Sequence, residues 1–138
     1  MNAANPTTGS PVETLRQLVP MAHVEDMERS IKFYGQLGFK ISNADGQPGE
    51  RGWAWLTNGR AHLMLVRSSR PMNPAAEDVL FYLYATDVVE YRDNLMARSV
   101  EVGPLTHPEY LPKGEFRMID PDGYCLAVGQ WEDSWFGY

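Results

Sequence analysis

Cysteine is nearly missing from this chain: Cys125 is the only one. No intramolecular disulfide can form, and a reducing compartment is permitted. Long apolar runs are missing too, since no segment approaches the roughly 18 residues that span a bilayer. The N-terminus lacks the basic start and apolar core of a secretory signal. Positive charge is scarce, with twelve Lys and Arg against eighteen Asp and Glu and a net charge of −6. Such a balance disfavours nucleic-acid and anionic-membrane partners and tilts toward cationic ligands. There is no Cys-x-x-Cys, no His-Glu-x-x-His and no Gly-x-Ser-x-Gly elbow. Gly46, Gly49 and Gly52 do not form the dinucleotide fingerprint and do not join a strand to a helix. The expectation is a cytoplasmic protein without a bound cofactor.

What the chain does have is a repeat. Leu18–Val24 runs into Asp26, a helical stretch and Leu37-Gly38-Phe39-Lys40-Ile41; about sixty positions later Val79–Ala85 runs into Asp87, a helical stretch and Arg98-Ser99-Val100-Glu101-Val102. Asp26 matches Asp87, Gly38 matches Ser99 and Ile41 matches Val102 at one offset. Two copies of one unit, each with an apolar face needing a partner, would enclose a crevice where small molecules bind. At 138 residues and 43% hydrophobic the chain suits one domain with a real core.

Local signals fill in each unit. Residues 1–14, rich in Pro, Thr, Gly and Ser, read as a disordered tail, and 15–130 as a single domain. Module one covers 15–67, a linker with Pro71 and Pro74 covers 68–78, and module two covers 79–130. Asp26 and Asp87 read as helix N-caps, with Glu90 at capping-box spacing. Met27, Ile31, Tyr34 and Leu37 recur at helical spacing, as do Val88, Tyr91 and Leu95. Gly38 stops the first helix, and Ser99 stands where glycine is commoner. Trp53–Thr57 and Ala61–Arg67 read as a hairpin through Asn58-Gly59, and Glu115–Ile119 and Tyr124–Gly129 as one through Asp120-Pro121-Asp122-Gly123. Val100–Val102 reads as a strand, followed by a loop with three prolines. Residues 131–138 form an aromatic tail that should pack on its own domain or on a partner subunit.

Val24-Glu25-Asp26-Met27-Glu28-Arg29-Ser30, Phe33-Tyr34 and Leu37-Gly38-Phe39 resemble the first module of the vicinal oxygen chelate superfamily. Glu115-Phe116 and Asp120-Pro121-Asp122-Gly123 resemble the last hairpin of its second module. That superfamily groups glyoxalases, extradiol dioxygenases and fosfomycin- and bleomycin-resistance proteins. The resemblance implies an α+β fold of two βαβββ modules whose curved mixed sheets surround a cavity, in a homodimer. It also implies, for the metal-dependent members, a ligand on the first and fourth strand of each module. Here those positions fall on Val19, Met64, Leu80 and Ala127, none of which offers a hard donor. A shift of one residue recruits Leu18, Leu63, Phe81 or Val128, so no metal is expected.

An apolar, aromatic pocket would replace the metal. Strand alternation places Met21 and His23 with Val19, His62 with Met64, and Tyr82 and Tyr84 with Leu80. Trp53 and Trp55 share one face of their strand, but which face is open at this point. The expected ligand-binding set is therefore His23, Trp53, Trp55, His62, Met64, Tyr82 and Tyr84, with no catalytic residue assigned. Each has a plainer reading: the histidines as hydrogen-bonded or surface residues, Met21 and Met64 as core filler, Tyr82 and Tyr84 as dimer contacts. Cys125 reads as an inert thiol and Asp120 and Asp122 as turn formers. Among its families the chain looks most like the bleomycin-resistance type, which implies antibiotic resistance by sequestering a planar or cationic compound. The alternatives are a lyase, isomerase or dioxygenase using a metal or His23 or His62 as general base, and a structural dimer with a vestigial pocket.

Overall fold

A computed structural model describes residues 16–71, 73 and 80–136. The expected N-terminal tail, most of the second half of the linker and the last two residues lie outside that set. The element order is β1 (Met21–Val24), α1 (Met27–Gln36), β2 (Lys40–Ala44), β3 (Trp53–Asn58), β4 (Ala61–Arg67), β5 (Leu80–Ala85), α2 (Val88–Ala97), β6 (Glu115–Ile119) and β7 (Cys125–Gln130). A 3-10 turn at Asp133–Phe136 follows. Both helices begin at an aspartate cap: Asp26 accepts from the Arg29 amide and Asp87 from the Glu90 amide, each at 3.1 Å. These carboxylates satisfy first-turn N–H groups that have no partner within the helix. Among the described residues no helix is long and apolar enough to cross a membrane.

The strands form two small mixed sheets, ordered β1-β4-β3-β2 and β5-β7-β6. In each, the first strand runs parallel to the last strand of its module: Met21 pairs with Met64, and Tyr82 with Ala127. The remaining pairs are antiparallel. The fold is thus α+β with two related modules. One strand expected from the sequence is absent. Val100–Val102 lies outside any ladder, and the segment is hydrogen-bonded through its backbone to β6 at Gly103, whose amide donates to the Arg117 carbonyl at 2.8 Å, and at a Thr106–Glu115 bridge. A Cβ on Gly103 would sit 3.0 Å from the Arg117 carbonyl oxygen, so the close approach depends on glycine.

Two boundaries also move. The first strand is shorter than the apolar run Leu18–Val24, because Pro20 contributes only its carbonyl, which accepts from the Met64 amide at 2.9 Å. The β3–β4 turn is Gly59-Arg60, not Asn58-Gly59: Asn58 pairs with Ala61 and Gly59 takes φ +59°. A positive φ at the first central residue suits a two-residue hairpin of type II′. Asn58 is freed for another task, its amide donating to the Leu37 carbonyl at the end of α1 at 3.2 Å.

One apolar cluster serves both modules. Val24, Met27, Tyr34, Leu56 and Leu65 from the first join Val88, Leu95, Phe116, Leu126 and Val128 from the second. Polar bonds cross the same boundary. The Tyr91 hydroxyl donates to the Leu37 carbonyl at 2.6 Å and Arg98 donates to the Gln36 carbonyl at 2.9 Å, so α2 supplies partners for the unpaired C-terminal carbonyls of α1. Burial is the main reason that the Tyr91 phenol is pushed up to about 12.

The second helix ends where a glycine is missing. Ser99 has φ +63°, the one non-glycine in the left-handed region among the described residues. A side chain costs about 1–2 kcal/mol there, and glycine's extra unfolded-state freedom returns about 0.4–1 kcal/mol of that. Ser99→Gly should therefore stabilise the fold by about 0.5–1 kcal/mol in urea denaturation. An unchanged or lower midpoint would show that Ser99 carries no strain.

Candidate functional site

Alternation and helix packing together decide which side of each sheet stays open. In the first sheet Ala22, Val24, Ala54, Leu56, Leu63 and Leu65 are buried against the core. The opposite face carries Met21, His23, Trp53, Trp55, His62 and Met64, all exposed or half-buried. Cross-strand register sets them in rows, with Met21 beside Met64 beside Trp55, and His23 beside Val66 beside Trp53. The face of the two tryptophans, undecided from sequence, is the face of the two histidines.

Specific bonds hold these rings. The Trp55 indole donates to His62 Nδ1 at 3.0 Å, and the rings meet edge to face with centroids 5.8 Å apart. The Trp53 indole lies 3.4 Å from the Met64 sulfur, a weak acceptor. His62 Nδ1 must present its lone pair to an indole that only donates, so a neutral His62 carries its proton on Nε2. Gln17 lies 3.1 Å from that Nε2. A general base needs a free lone pair within reach of substrate, and His62 in this arrangement has none. His23 is exposed on β1. Asp45 steadies the approach to Trp53 by accepting from the Gly52 and Trp53 amides at 2.8 and 3.0 Å, and these bonds hold its carboxyl below the usual range.

The open face of the second sheet carries Tyr82 and Tyr84, 37% and 46% exposed, with rings stacked at 5.5 Å. They border a hollow of about 450 Å³ with Tyr110 and Leu111. The Trp131 ring meets Tyr84 at 6.1 Å, so the start of the aromatic tail packs on its own domain. Sequence reasoning missed a polar cluster at this face. Glu115, only 4% exposed, accepts from the Tyr82 hydroxyl, from Tyr110 at 3.3 Å and from Arg117 Nε at 3.2 Å. Burial and the Glu115 carboxylate push the Tyr82 phenol well above its ordinary value, so the hydroxyl stays a donor. Glu-x-Arg on a strand was the available signal, since residues two apart share a face.

Among the described residues no hydrogen bond or ring contact joins the tryptophan set to Tyr82 or Tyr84. The structure brings the seven expected residues together as two groups on two sheets. A second hollow, of about 420 Å³, lies at the start of α1 between Glu25, Asp26, Glu28, Arg29 and Arg67 and contains none of them.

Asp120 and Asp122 do more than shape a turn. Asp120 Oδ1 accepts from the Asp122 and Tyr124 amides, both at 2.9 Å, as a turn former would. Its other oxygen accepts from the buried Tyr34 hydroxyl at 2.8 Å, across the module boundary. Asp122 accepts from the Glu25 amide at 2.9 Å, from Ser30 Oγ at 3.1 Å and from Arg29 at 3.2 Å. The Tyr124 hydroxyl donates to the His23 carbonyl at 3.0 Å, tying the same hairpin to β1. Cys125 is partly accessible, not fully buried.

The four positions that would ligate a metal do not fit one. Met64 already meets the Trp53 indole, Ala127 is fully buried on β7, and Val19 and Leu80 are hydrocarbon. Among the described residues no three His, Cys, Asp or Glu side chains converge as a metal-binding set.

Solved structures of the same shape are informative about fold. A bleomycin-binding protein in complex with bleomycin is 22% identical, with a TM-score of 0.72 over 86% of this chain and 100% of that one. The bleomycin resistance determinant of transposon Tn5 is 21% identical, with a TM-score of 0.73 over 86% and 99%. TnmS3, an antibiotic binding protein from Streptomyces sp. CB03234, is 20% identical, with a TM-score of 0.66 over 86% and 98%. No curated protein matches the sequence. A model of the glyoxalase/bleomycin resistance protein/dioxygenase superfamily, however, matches residues 17–128. With that match spanning both modules and both characteristic hairpins, the chain belongs to this superfamily.

Proposed function

We propose that the protein binds a planar small molecule without altering it, sequestering the compound through its open sheet faces. The observation that carries this reading is the pair Trp53 and Trp55. Both rings stand on the open face, half-buried, with their indole nitrogens tied to Met64 and His62. A ring held in one orientation loses little freedom when a ligand stacks on it, so its contact area converts efficiently into affinity. The ligand-binding set is His23, Trp53, Trp55, His62 and Met64 on one sheet with Tyr82 and Tyr84 on the other. The apolar residues at the metal positions support a function in which affinity suffices, as does the use of both His62 nitrogens. Neighbours that bind bleomycin or another antibiotic support the ligand class. On this reading the protein acts as a homodimer in the cytoplasm, with no nucleic-acid or membrane partner.

The test is a titration of tryptophan emission with bleomycin and a panel of planar aromatic compounds. Saturable quenching is the expected result. A panel that leaves emission unchanged, together with no binding by calorimetry, would remove the binding reading and favour a purely structural role.

A further inference from the structure

We propose that Arg117 is an anion-recognition residue on the open face of the second sheet, and that the ligand is a planar compound carrying a carboxylate, phosphate or sulfonate. The inference rests on the binding reading above and names the ligand's charge. It starts from register. Tyr82, Ala127 and Arg117 lie side by side across β5, β7 and β6, and Tyr84, Gly129 and Glu115 form the adjacent row. The central strand thus has the two smallest side chains. Large side chains from both flanks can meet over it, and Tyr82 on β5 reaches Glu115 on β6. A Cβ on Gly129 would come within 2.7 Å of Leu111, so the glycine also admits the loop residue that closes one wall of the hollow.

The charges of this cluster are arranged asymmetrically. Both Glu115 oxygens are occupied, one by Tyr82 and the other by Tyr110 and Arg117 Nε, and the carboxylate is shut away from water. Arg117 uses only Nε in this contact, and its side chain is 50% exposed. Besides Glu115 the guanidinium has the Tyr110 hydroxyl beside it, and the half-exposed remainder of its N–H groups faces outward. A guanidinium pinned from behind presents its outer fork in a fixed geometry, which matches the two oxygens of a carboxylate or phosphate. The Tyr82 and Tyr110 hydroxyls mark the join between this fork and the hollow lined by Tyr82, Tyr84, Tyr110 and Leu111. A ring in the hollow can therefore place an anionic substituent at Arg117.

Net charge argues the other way, since −6 overall favours a cation. The distance scale decides between them. Separated surface charges are screened over about 8 Å at physiological ionic strength, whereas a guanidinium–carboxylate contact acts at about 3 Å. Glu115 offsets part of the Arg117 charge from behind, but both its oxygens are occupied and shielded from water, so the outward N–H groups still favour an anionic substituent over a cationic one.

The experiment compares 2-naphthoate, 2-naphthalenemethanol and 2-naphthylmethylammonium as ligands of the full chain by calorimetry at low salt. The ring is common to all three, and the small substituents carry negative, zero and positive charge. The naphthoate should bind about fivefold more tightly than the alcohol, the advantage of one half-exposed charge pair, and the ammonium should bind most weakly. Arg117→Gln should abolish the naphthoate's advantage over the alcohol, while Arg117→Lys should keep part of it. High salt should shrink the preference in the wild type only. Adding 2-naphthyl phosphate to the series distinguishes a carboxylate ligand from a phosphate ester, both within the proposal. A preference for the ammonium, or a naphthoate advantage that survives Arg117→Gln, overturns the anion assignment while leaving the binding reading in place. If none of the probes binds while bleomycin or another planar compound does, the anion assignment falls and the binding reading stands.

Discussion

Replacing Asp122 with alanine is expected to lower the unfolding free energy by about 3 kcal/mol, a large share of the 5–15 kcal/mol typical of a domain. The side chain is 1% exposed and accepts three bonds from module one. Its loss leaves the Glu25 amide without that acceptor and strands Ser30 Oγ, on a residue that is fully buried. The bond to Arg29 counts for less, because that guanidinium is 45% exposed and screened by water. Urea denaturation of Asp122→Ala checks the figure, with an expected fall in melting temperature of roughly 10 °C. A loss below about 1 kcal/mol would mean that the shared apolar cluster holds the modules together without the hairpin's help.

The neighbouring Asp120 sets a pH dependence of unusual sign. Burial, opposed by the bonds from Tyr34, Tyr124 and Asp122, leaves its carboxyl above the ordinary carboxylate range in the folded state. The folded protein then binds the proton more tightly than the unfolded chain does. This contribution is present in full below the unfolded-state value and declines as pH rises through the folded-state value. Asp120→Asn keeps the backbone bonds at its oxygen and can donate to the Tyr34 hydroxyl. It should change stability by less than about 1 kcal/mol at low pH and remove this decline. Stability curves for the two proteins that run parallel between pH 3 and 7 would contradict the assignment.

Trp55→Ala should weaken binding of a planar ligand by about 5- to 150-fold, the range set by roughly 1–3 kcal/mol for a lost stacking partner. The substitution also releases the His62 ring, whose Nδ1 loses its donor. Trp55→Phe separates the two effects, since it keeps an aromatic face and removes only the indole N–H. The phenylalanine variant should retain most of the affinity if stacking dominates. Trp53→Ala should fall in the same range, because Trp53 stands one row along on the same face. Titrations in which both alanine variants bind like wild type would remove the pair from the site.

Local pattern made much of this architecture legible. Aspartate before a 3.6-residue apolar rhythm signals a capped helix wherever it occurs, and both helices begin where that signal stands. The Asp-Pro-Asp-Gly turn and the apolar alternation around Leu63 and Leu65 were equally readable. The failures have particular causes. Val100–Val102 has strand-forming residues, but its contact with β6 is limited to the Gly103 bond and the Thr106–Glu115 bridge, and no ladder forms. Asn58-Gly59 is a strong turn pair, yet Asn58 pairs with Ala61 and caps the end of α1 instead. In both places the outcome was set by what the next element required.

From the chain alone came the repeated unit, the lack of a hard donor at the four metal positions and the pairing of Trp53 with Trp55 on one face. All of these follow from residue identity or from a period of two or 3.6, which a linear pattern carries. The tertiary structure alone decided which face that was, because strand alternation is symmetric until a helix packs on one side. It also decided that Asp122 reaches Ser30 and Tyr34 reaches Asp120, contacts 92 and 86 positions apart. The Tyr82–Glu115–Arg117 cluster arises the same way, from strand order β5-β7-β6 and two small residues on the central strand. Side chains distant in sequence meet only after the strands are ordered, and no local spacing encodes that order.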